Sequence, residues 1–341
     1  MTITRLTEQQ IHFFHTFGYL GFPGLMANCI DEIIDEFEAF WASRGGGHNG
    51  VPHDGKARSC IAQFIDQRER LSALLDDPRI LGITTSLLGD DFNYMGSDGN
   101  YYVGDTGWHS DGWHIGILHI KIAFYLDPLT HDTGCLRVIP GSHLPGDRYA
   151  DSLQQHIRQS QELWGAHGRN LPAVALETQP GDIVCFNHNT KHATFGGGTR
   201  RRMFTMNCCQ RYPENRLEDL RKYIGGAARF WVERAYGEVM IRTAGPERMQ
   251  YLEQSAALSS ITISLQPYIL SQPVDTSWRP AETVREAVDA LLRGLRNFGD
   301  FMIIFVIATL PWLVALALVG YLVYRFIIRP IVRRRRGAGS G

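Results

Sequence analysis

The sequence predicts a mainly β fold with flanking helices: a double-stranded β-helix of the jelly-roll, cupin-like kind, followed by one C-terminal transmembrane helix. Three observations predict it. Residues 92–127 alternate in the manner of antiparallel strands, helical periodicity lies on both sides of the strand-rich region, and residues 301–324 form an uncharged apolar run. A chain of 341 residues with 44% hydrophobic content can bury a substantial core in one large domain.

Two helices are predicted ahead of the strands. Thr7 and Gln10 have the spacing of a capping box, which opens the first helix. A second helix is predicted at about residues 29–41, where apolar side chains recur on one face. The glycine-rich stretch 45–50 then reads as a loop.

Strands are predicted through the middle of the chain. Residues 117–126 are rich in β-branched and aromatic side chains and form the strongest candidate. Turn residues dominate 127–142, and they lead to further strands predicted at 173–178, 183–187 and 201–209. Helical periodicity returns over 213–299, which we interpret as a helical extension of a domain that spans 1–299.

Residues 301–324 contain no charge over 24 positions. A helix needs about 20 apolar residues to cross the hydrocarbon core of a membrane, so this run predicts a transmembrane helix. Tyr321 and Tyr324 suit a membrane interface, and a basic tail follows at 325–341. The alternative is a buried helix of a globular domain.

Charge and cysteine content exclude several function classes. Six of the 34 basic residues are arginines within 325–336, which leaves 28 basic against 35 acidic residues in 1–324. This acidic balance argues against a nucleic-acid partner. The six cysteines include the adjacent pair Cys208 and Cys209 but no CxxC motif, so they predict neither a zinc site nor a disulfide framework.

Two histidines and one carboxylate form the most informative motif. His109 and Asp111 are two residues apart, and His192 follows much later. Because residues i and i+2 of a strand point to the same face, His109 and Asp111 can reach one metal ion. Two imidazoles and a carboxylate are the ligand set of an open non-haem Fe(II) site.

The sequence around these residues resembles the phytanoyl-CoA dioxygenase family of Fe(II)/2-oxoglutarate-dependent oxygenases. The resemblance covers roughly residues 6–210 and lies in four stretches: Leu6–Leu20, Asp76–Asp90, Leu126–His143 and Gly181–His192. It implies that His109, Asp111 and His192 bind Fe(II), and that 2-oxoglutarate and O₂ are co-substrates.

The resemblance also implies a co-substrate anchor. The family places an arginine about ten residues beyond the distal histidine, and here Arg201 fits best, with Arg202 as the alternative register. A planar guanidinium suits a carboxylate better than lysine does. Thr194 matches a hydroxyl that helps to hold the same carboxylate. His188 competes with His192 for the distal position but lacks a threonine at the matching offset.

Four further residues are candidates for substrate binding. Trp108, Trp113 and Tyr102 are predicted to line the pocket, with ordinary core packing as the alternative. Lys121 lies on an otherwise apolar strand, and it either extends to solvent or faces the co-substrate.

The implied activity is hydroxylation of an unactivated carbon of a small molecule, with a lipid-like compound indicated by the predicted anchor. Related halogenases have a small residue in place of the carboxylate, so Asp111 favours hydroxylation. Two alternatives remain open: a catalytically inactive, membrane-tethered jelly-roll binding protein, and a cupin-type metalloenzyme that does not use 2-oxoglutarate. The substrate and the oligomeric state are not predicted.

The predicted location is a membrane, through a single C-terminal span, with the catalytic domain on the cytoplasmic side. The six arginines after the span favour the opposite orientation. The need for 2-oxoglutarate and reduced iron, together with an N-terminus that lacks an apolar signal sequence, argues for the cytoplasmic placement.

Overall fold

The computed structural model describes residues 5–227, 235–258, 291 and 321. All but the last two belong to a single compact unit. Its strands are β1 (Tyr19–Phe22), β2 (Ser59–Ala62), β3 (Phe92–Tyr102), β4 (Thr106–His109), β5 (His119–Tyr125), β6 (Leu136–Val138), β7 (Val174–Leu176), β8 (Ile183–Asn187), β9 (His192–Thr194) and β10 (Arg201–Gln210). Its helices are α1 (Glu8–Phe17), α2 (Ile30–Ser43), α3 (Glu69–Ser72), α4 (Pro78–Leu88), α5 (Arg148–His156), α6 (Ser160–Trp164), α7 (Leu217–Ala227), α8 (Glu238–Arg242) and α9 (Pro246–Leu258).

The strands form two antiparallel sheets. The larger sheet has the order β1-β8-β5-β10-β3-β2, and the smaller has the order β4-β9-β6-β7. Strands that are neighbours in sequence are rarely neighbours in a sheet, because the chain crosses repeatedly between the two. This is the predicted jelly roll with flanking helices.

Alternation along the central strands separates two cores. On β5, Ile120, Ile122 and Phe124 pack into the core between the larger sheet and the helices, whereas Ala123 and Tyr125 pack between the two sheets. Successive side chains of a strand point to opposite faces, so one strand contributes to both layers. The space between the sheets is where the candidate site lies.

The N-terminal helix begins and ends as its sequence predicts. The backbone N–H of Thr7 donates to Gln10 Oε1 at 2.9 Å, and Gln10 N–H donates to Thr7 Oγ1 at 3.2 Å, which completes the capping box. The helix ends at Gly18, whose φ of 86° is left-handed. A Cβ there would also lie 2.6 Å from Thr190 Oγ1, so both the backbone conformation and the close contact favour glycine at this position.

The predicted second helix, the strand candidate at 117–126 and the strands at 173–178, 183–187 and 201–209 are each confirmed within a few residues. Two helices between β6 and β7 were not predicted. The second of them, α6, has only five residues, too few for a helical period to show in sequence. Helices α7, α8 and α9 lie within the predicted helical extension, whose limit at residue 299 stays a prediction.

The structure does not support the predicted C-terminal transmembrane helix, so the fold class is the jelly roll with flanking helices alone. Across the described stretches no helix is long and apolar enough to cross a membrane, and the longest, α2, has 14 residues. Hydropathy predicts a span only for a continuous helix of about 20 residues. The run 301–324 itself lies outside the described residues, apart from Tyr321. The membrane partner and the lipid-like substrate inferred from that run lose their support with it.

Candidate metal centre

Strands β4 and β9 bring the three candidate ligands together. His109 and His192 are paired across these strands, and Asp111 follows two residues after His109. One ligand atom from each of these three residues lies within 4.8 Å of the other two. Asp111 lies just beyond the end of β4, not on the strand as expected, and its backbone N–H donates to the His188 carbonyl at 3.0 Å. That bond turns the chain so that the carboxylate still faces the two imidazoles.

Both imidazoles are held in the orientation that a metal ligand needs. The Nδ1 atom of His109 lies 2.8 Å from the Gly107 carbonyl, and Nδ1 of His192 lies 2.9 Å from the Thr190 carbonyl. A carbonyl can only accept, so Nδ1 carries the proton and Nε2 presents its lone pair. The Nε2 atom of His192 lies 3.7 Å from Asp111 Oδ2. Two lone-pair donors at this distance suit a cation between them.

The charges at the centre favour the ligating forms. Burial alone would raise the pKa of Asp111, but the ammonium of Lys121, 3.0 Å from Oδ2, holds that pKa well below its usual range. Burial lowers the pKa of His192 to about 4. The carboxylate is therefore ionised and the imidazole neutral at physiological pH, as metal binding requires.

A cavity between the two sheets opens onto these ligands. It is lined by the three ligands and by Tyr102, Thr106, Lys121, Tyr125, Leu136, Phe186, Ala193, Thr194, Arg201, Met203 and Thr205. Lys121 therefore faces the interior, which decides between its two predicted orientations. Alternation on β10 places Arg201, Met203 and Thr205 on the cavity side, while Phe204 packs in the outer core.

Arg201 and Arg202 have different surroundings. Arg201 is 4% exposed, and its Nη2 donates to Thr194 Oγ1 at 3.1 Å. Its Nε and Nη1 have no hydrogen-bond partner among the described residues. Arg202 instead bonds Asp127 and Glu38, on the outer side of the sheet. Arg201 is thus the arginine with unused donors at the cavity, although its role, like that of Arg202, stays a prediction.

Two of the four predicted substrate-binding residues reach the cavity. Tyr102 and Lys121 line it. Trp108 does not: it packs against Phe195, is 4% exposed, and donates from Nε1 to the Gly168 carbonyl at 2.7 Å. Trp113 is also not among the lining residues, and its ring lies 4.2 Å from Lys191 Nζ.

Sequence reasoning missed three polar residues of the cavity. Thr106, Tyr125 and Thr205 lie on its wall. Tyr125 is four residues after Lys121 on β5, and Thr205 is four residues after Arg201 on β10. The two-residue period, applied outward from the residues already singled out, would have found both.

A family profile for phytanoyl-CoA dioxygenase (PhyH) matches residues 14–203. A second profile, a domain of unknown function (DUF4349), matches residues 245–325. No curated protein sequence matches the chain significantly.

Solved structures with a similar fold include several enzymes. The non-heme alpha ketoglutarate dependent carbocyclase SnoK from nogalamycin biosynthesis is 22% identical with a TM-score of 0.50, over 62% of this chain and 86% of SnoK. HygX from Streptomyces hygroscopicus, with nickel and 2-oxoglutarate bound, is 14% identical with a TM-score of 0.47, over 61% of this chain and 88% of HygX. EctD from S. alaskensis, with bound Fe, is 22% identical with a TM-score of 0.47, over 60% of this chain and 76% of EctD.

The SnoK likeness agrees with the jelly-roll architecture, and the described chain contains a His/Asp/His cluster able to hold a metal ion. The family profile spans more than half of the chain. The protein belongs to the phytanoyl-CoA dioxygenase family.

Proposed function

We propose that the protein is an Fe(II)/2-oxoglutarate-dependent dioxygenase that hydroxylates an unactivated carbon of a small molecule. The observation that carries the proposal is one cavity holding both a 2-His-1-carboxylate cluster and a buried arginine with unused donors. When bound, Fe(II) with 2-oxoglutarate and O₂ supplies the oxidising power to replace a C–H bond by C–OH.

His109, Asp111 and His192 would hold the iron. Their donor set of two imidazoles and one carboxylate fits that metal. The carbonyls of Gly107 and Thr190 fix both ring orientations. Such outer partners raise the basicity of the ligands and keep them in place.

Arg201 and Thr194 would hold the far carboxylate of 2-oxoglutarate. The Thr194 hydroxyl accepts from Nη2 and fixes one end of the guanidinium, which leaves Nε and Nη1 as free donors. Arg202 is the weaker candidate because Asp127 and Glu38 already use its donors.

The charge of the cavity supports a dianionic co-substrate. Among the described lining residues, Lys121 and Arg201 contribute two positive charges and Asp111 one negative charge. A divalent ion raises this sum further, and a dicarboxylate offsets most of it. An uncharged co-substrate would leave buried charge uncompensated, which is costly in a low-dielectric cavity.

Asp111 supports hydroxylation over halide transfer, because its carboxylate occupies the position that related halogenases leave free for halide. We place the catalytic domain in the cytoplasm. The six cysteines, all within the described part, are free thiols, which suits a reducing compartment that also supplies 2-oxoglutarate.

The test is anaerobic loading of the full-length protein with Fe(II), followed by addition of O₂ with and without 2-oxoglutarate. The proposal expects O₂ uptake and succinate formation only when both Fe(II) and 2-oxoglutarate are present, and loss of both on replacing Fe(II) by Zn²⁺. O₂ uptake without 2-oxoglutarate would indicate a cupin-type metalloenzyme instead. Binding of 2-oxoglutarate without succinate release would indicate an inactive binding protein.

A further inference from the structure

A second group of histidines lies next to the candidate metal centre. His114 is on the loop between β4 and β5, His119 is the first residue of β5, and His188 follows β8 directly. The backbone N–H of His188 donates to the His119 carbonyl at 3.0 Å, which joins the two strands at this point. We call these residues the three-histidine cluster.

One nitrogen of each ring lacks a partner. His114 Nε2, His119 Nδ1 and His188 Nδ1 are buried and have no hydrogen bond within the described part of the chain. His119 is 1% exposed and His188 is 2% exposed. Native structures leave few buried polar atoms unsatisfied. Three such atoms in one cluster indicate a missing common partner.

The opposite nitrogens determine what that partner is. His188 Nε2 lies 3.2 Å from Asn207 Oδ1, and the amide of Asn207 is oriented by its own bond from Nδ2 to the Gly96 carbonyl. An amide oxygen only accepts, so Nε2 of His188 carries the proton and Nδ1 presents a lone pair. His119 Nε2 lies 2.8 Å from the Tyr212 hydroxyl, which can donate or accept; with the hydroxyl accepting, Nδ1 of His119 presents a lone pair as well. A partner that accepts lone pairs, as a metal cation does, would satisfy these nitrogens.

We propose that His114, His119 and His188 form a second divalent metal site, with Zn²⁺ as the preferred ion. One nitrogen from each ring lies within 4.8 Å of the other two. Three imidazoles are a known ligand set for zinc, which completes its tetrahedron with a water molecule or another ligand.

Binding requires one movement. The rings of His114 and His119 stack with centroids 3.6 Å apart and planes at 6°, so an ion cannot lie in both ring planes until one ring tilts. His114 is the ring free to do so, because it lies on a loop and is only half-buried. Its close neighbour is Gly112, where a Cβ would lie 2.2 Å from His114 Nε2, so that glycine leaves room for the ring.

The site would position the first metal centre. The His188 carbonyl accepts hydrogen bonds from the backbone N–H groups of Asp111 at 3.0 Å and Gly112 at 3.3 Å. An ion that fixes His188 and His114 would therefore fix both ends of the segment that carries Asp111. This is a positioning role, and the proposal does not depend on the activity proposed above.

The test uses full-length protein with His109→Ala and His192→Ala, which removes the first centre. Equilibrium dialysis against Zn²⁺ should still give about one bound ion per chain. Adding His188→Ala should weaken this binding at least about tenfold, since loss even of an outer partner costs that much. His188→Gln, whose amide can keep the bond to Asn207, should do the same and guards against a folding defect.

His131→Gln in the same background is the matched control. His131 is exposed, pairs with Asp132 and lies outside both clusters, so zinc affinity should not change. Far-UV circular dichroism checks that each variant folds. The proposal is overturned if the background variant binds no zinc, or if zinc affinity is the same with histidine, alanine and glutamine at position 188. Neither result would bear on the 2-oxoglutarate assay.

Discussion

Replacing Arg201 by lysine should weaken 2-oxoglutarate binding without affecting iron. The guanidinium is buried, fixed through Nη2 by Thr194, and has two unused donors at the cavity. Lysine keeps the positive charge but offers a point charge in place of a fork. At least one charge-assisted hydrogen bond is then lost, at a cost of about 1.5–3 kcal/mol. Since 1.4 kcal/mol corresponds to a factor of ten, the Kd should rise about 10- to 150-fold.

The assay is anaerobic isothermal titration calorimetry of 2-oxoglutarate into the Fe(II)-loaded protein, which needs no substrate. Arg202→Lys is the matched control, because it makes the same chemical change one residue away. Its guanidinium bonds Asp127 and Glu38, so the change should lower the free energy of unfolding and leave the Kd for 2-oxoglutarate within about threefold. A weakened Kd in Arg202→Lys with an unchanged Kd in Arg201→Lys would refute this reasoning and shift the anchor by one residue.

Three further predictions concern stability and product. Burial raises the pKa of Asp66 to about 6, despite a hydrogen bond from Tyr94, so its contribution to stability is complete below about pH 4 and lost as the pH rises through 6. In urea unfolding, the free energy of unfolding of wild type should fall by about 3 kcal/mol across this window relative to that of Asp66→Asn. The same pH dependence of this free energy in both proteins would contradict the prediction. Gly99→Ala should destabilise by at least about 1–3 kcal/mol in the same assay, because a Cβ would lie 2.0 Å from the ring of Phe64; an unchanged midpoint would show that the ring can move aside. Once a substrate is known, mass spectrometry under ¹⁸O₂ should show one added oxygen atom, or loss of two hydrogens if the enzyme desaturates, whereas a chlorinated product in chloride buffer would contradict the role given to Asp111.

Strand alternation accounts for part of the candidate site. The two-residue period of strands turns Arg201 towards the cavity and its neighbour Arg202 away from it. The same period puts Lys121 inside. The face that each residue occupies follows from this alternation once the strand bounds are known, but the sequence alone left both the Arg201/Arg202 register and the orientation of Lys121 open.

Features built from distant segments were not visible. The three-histidine cluster joins a loop, the start of β5 and the end of β8, so only the sheet order reveals it. The pocket role expected of Trp108 rested on residue type alone, and the fold instead turns its indole towards Gly168. Asp111 reaches the centre through a backbone bond to His188 that no spacing rule contains.

The most direct test of the central claim is the rate of succinate formation per chain in His192→Ala, measured with saturating Fe(II) and 2-oxoglutarate. Loss of a direct ligand should lower the rate by more than about 100-fold relative to wild type. Mutation of a residue that only hydrogen-bonds a metal ligand already lowers metal affinity or activity by about 10- to 100-fold. His131→Gln, which removes an exposed histidine, should keep the wild-type rate. A His192→Ala protein that turns over 2-oxoglutarate at the wild-type rate would contradict the assignment of iron to His109, Asp111 and His192.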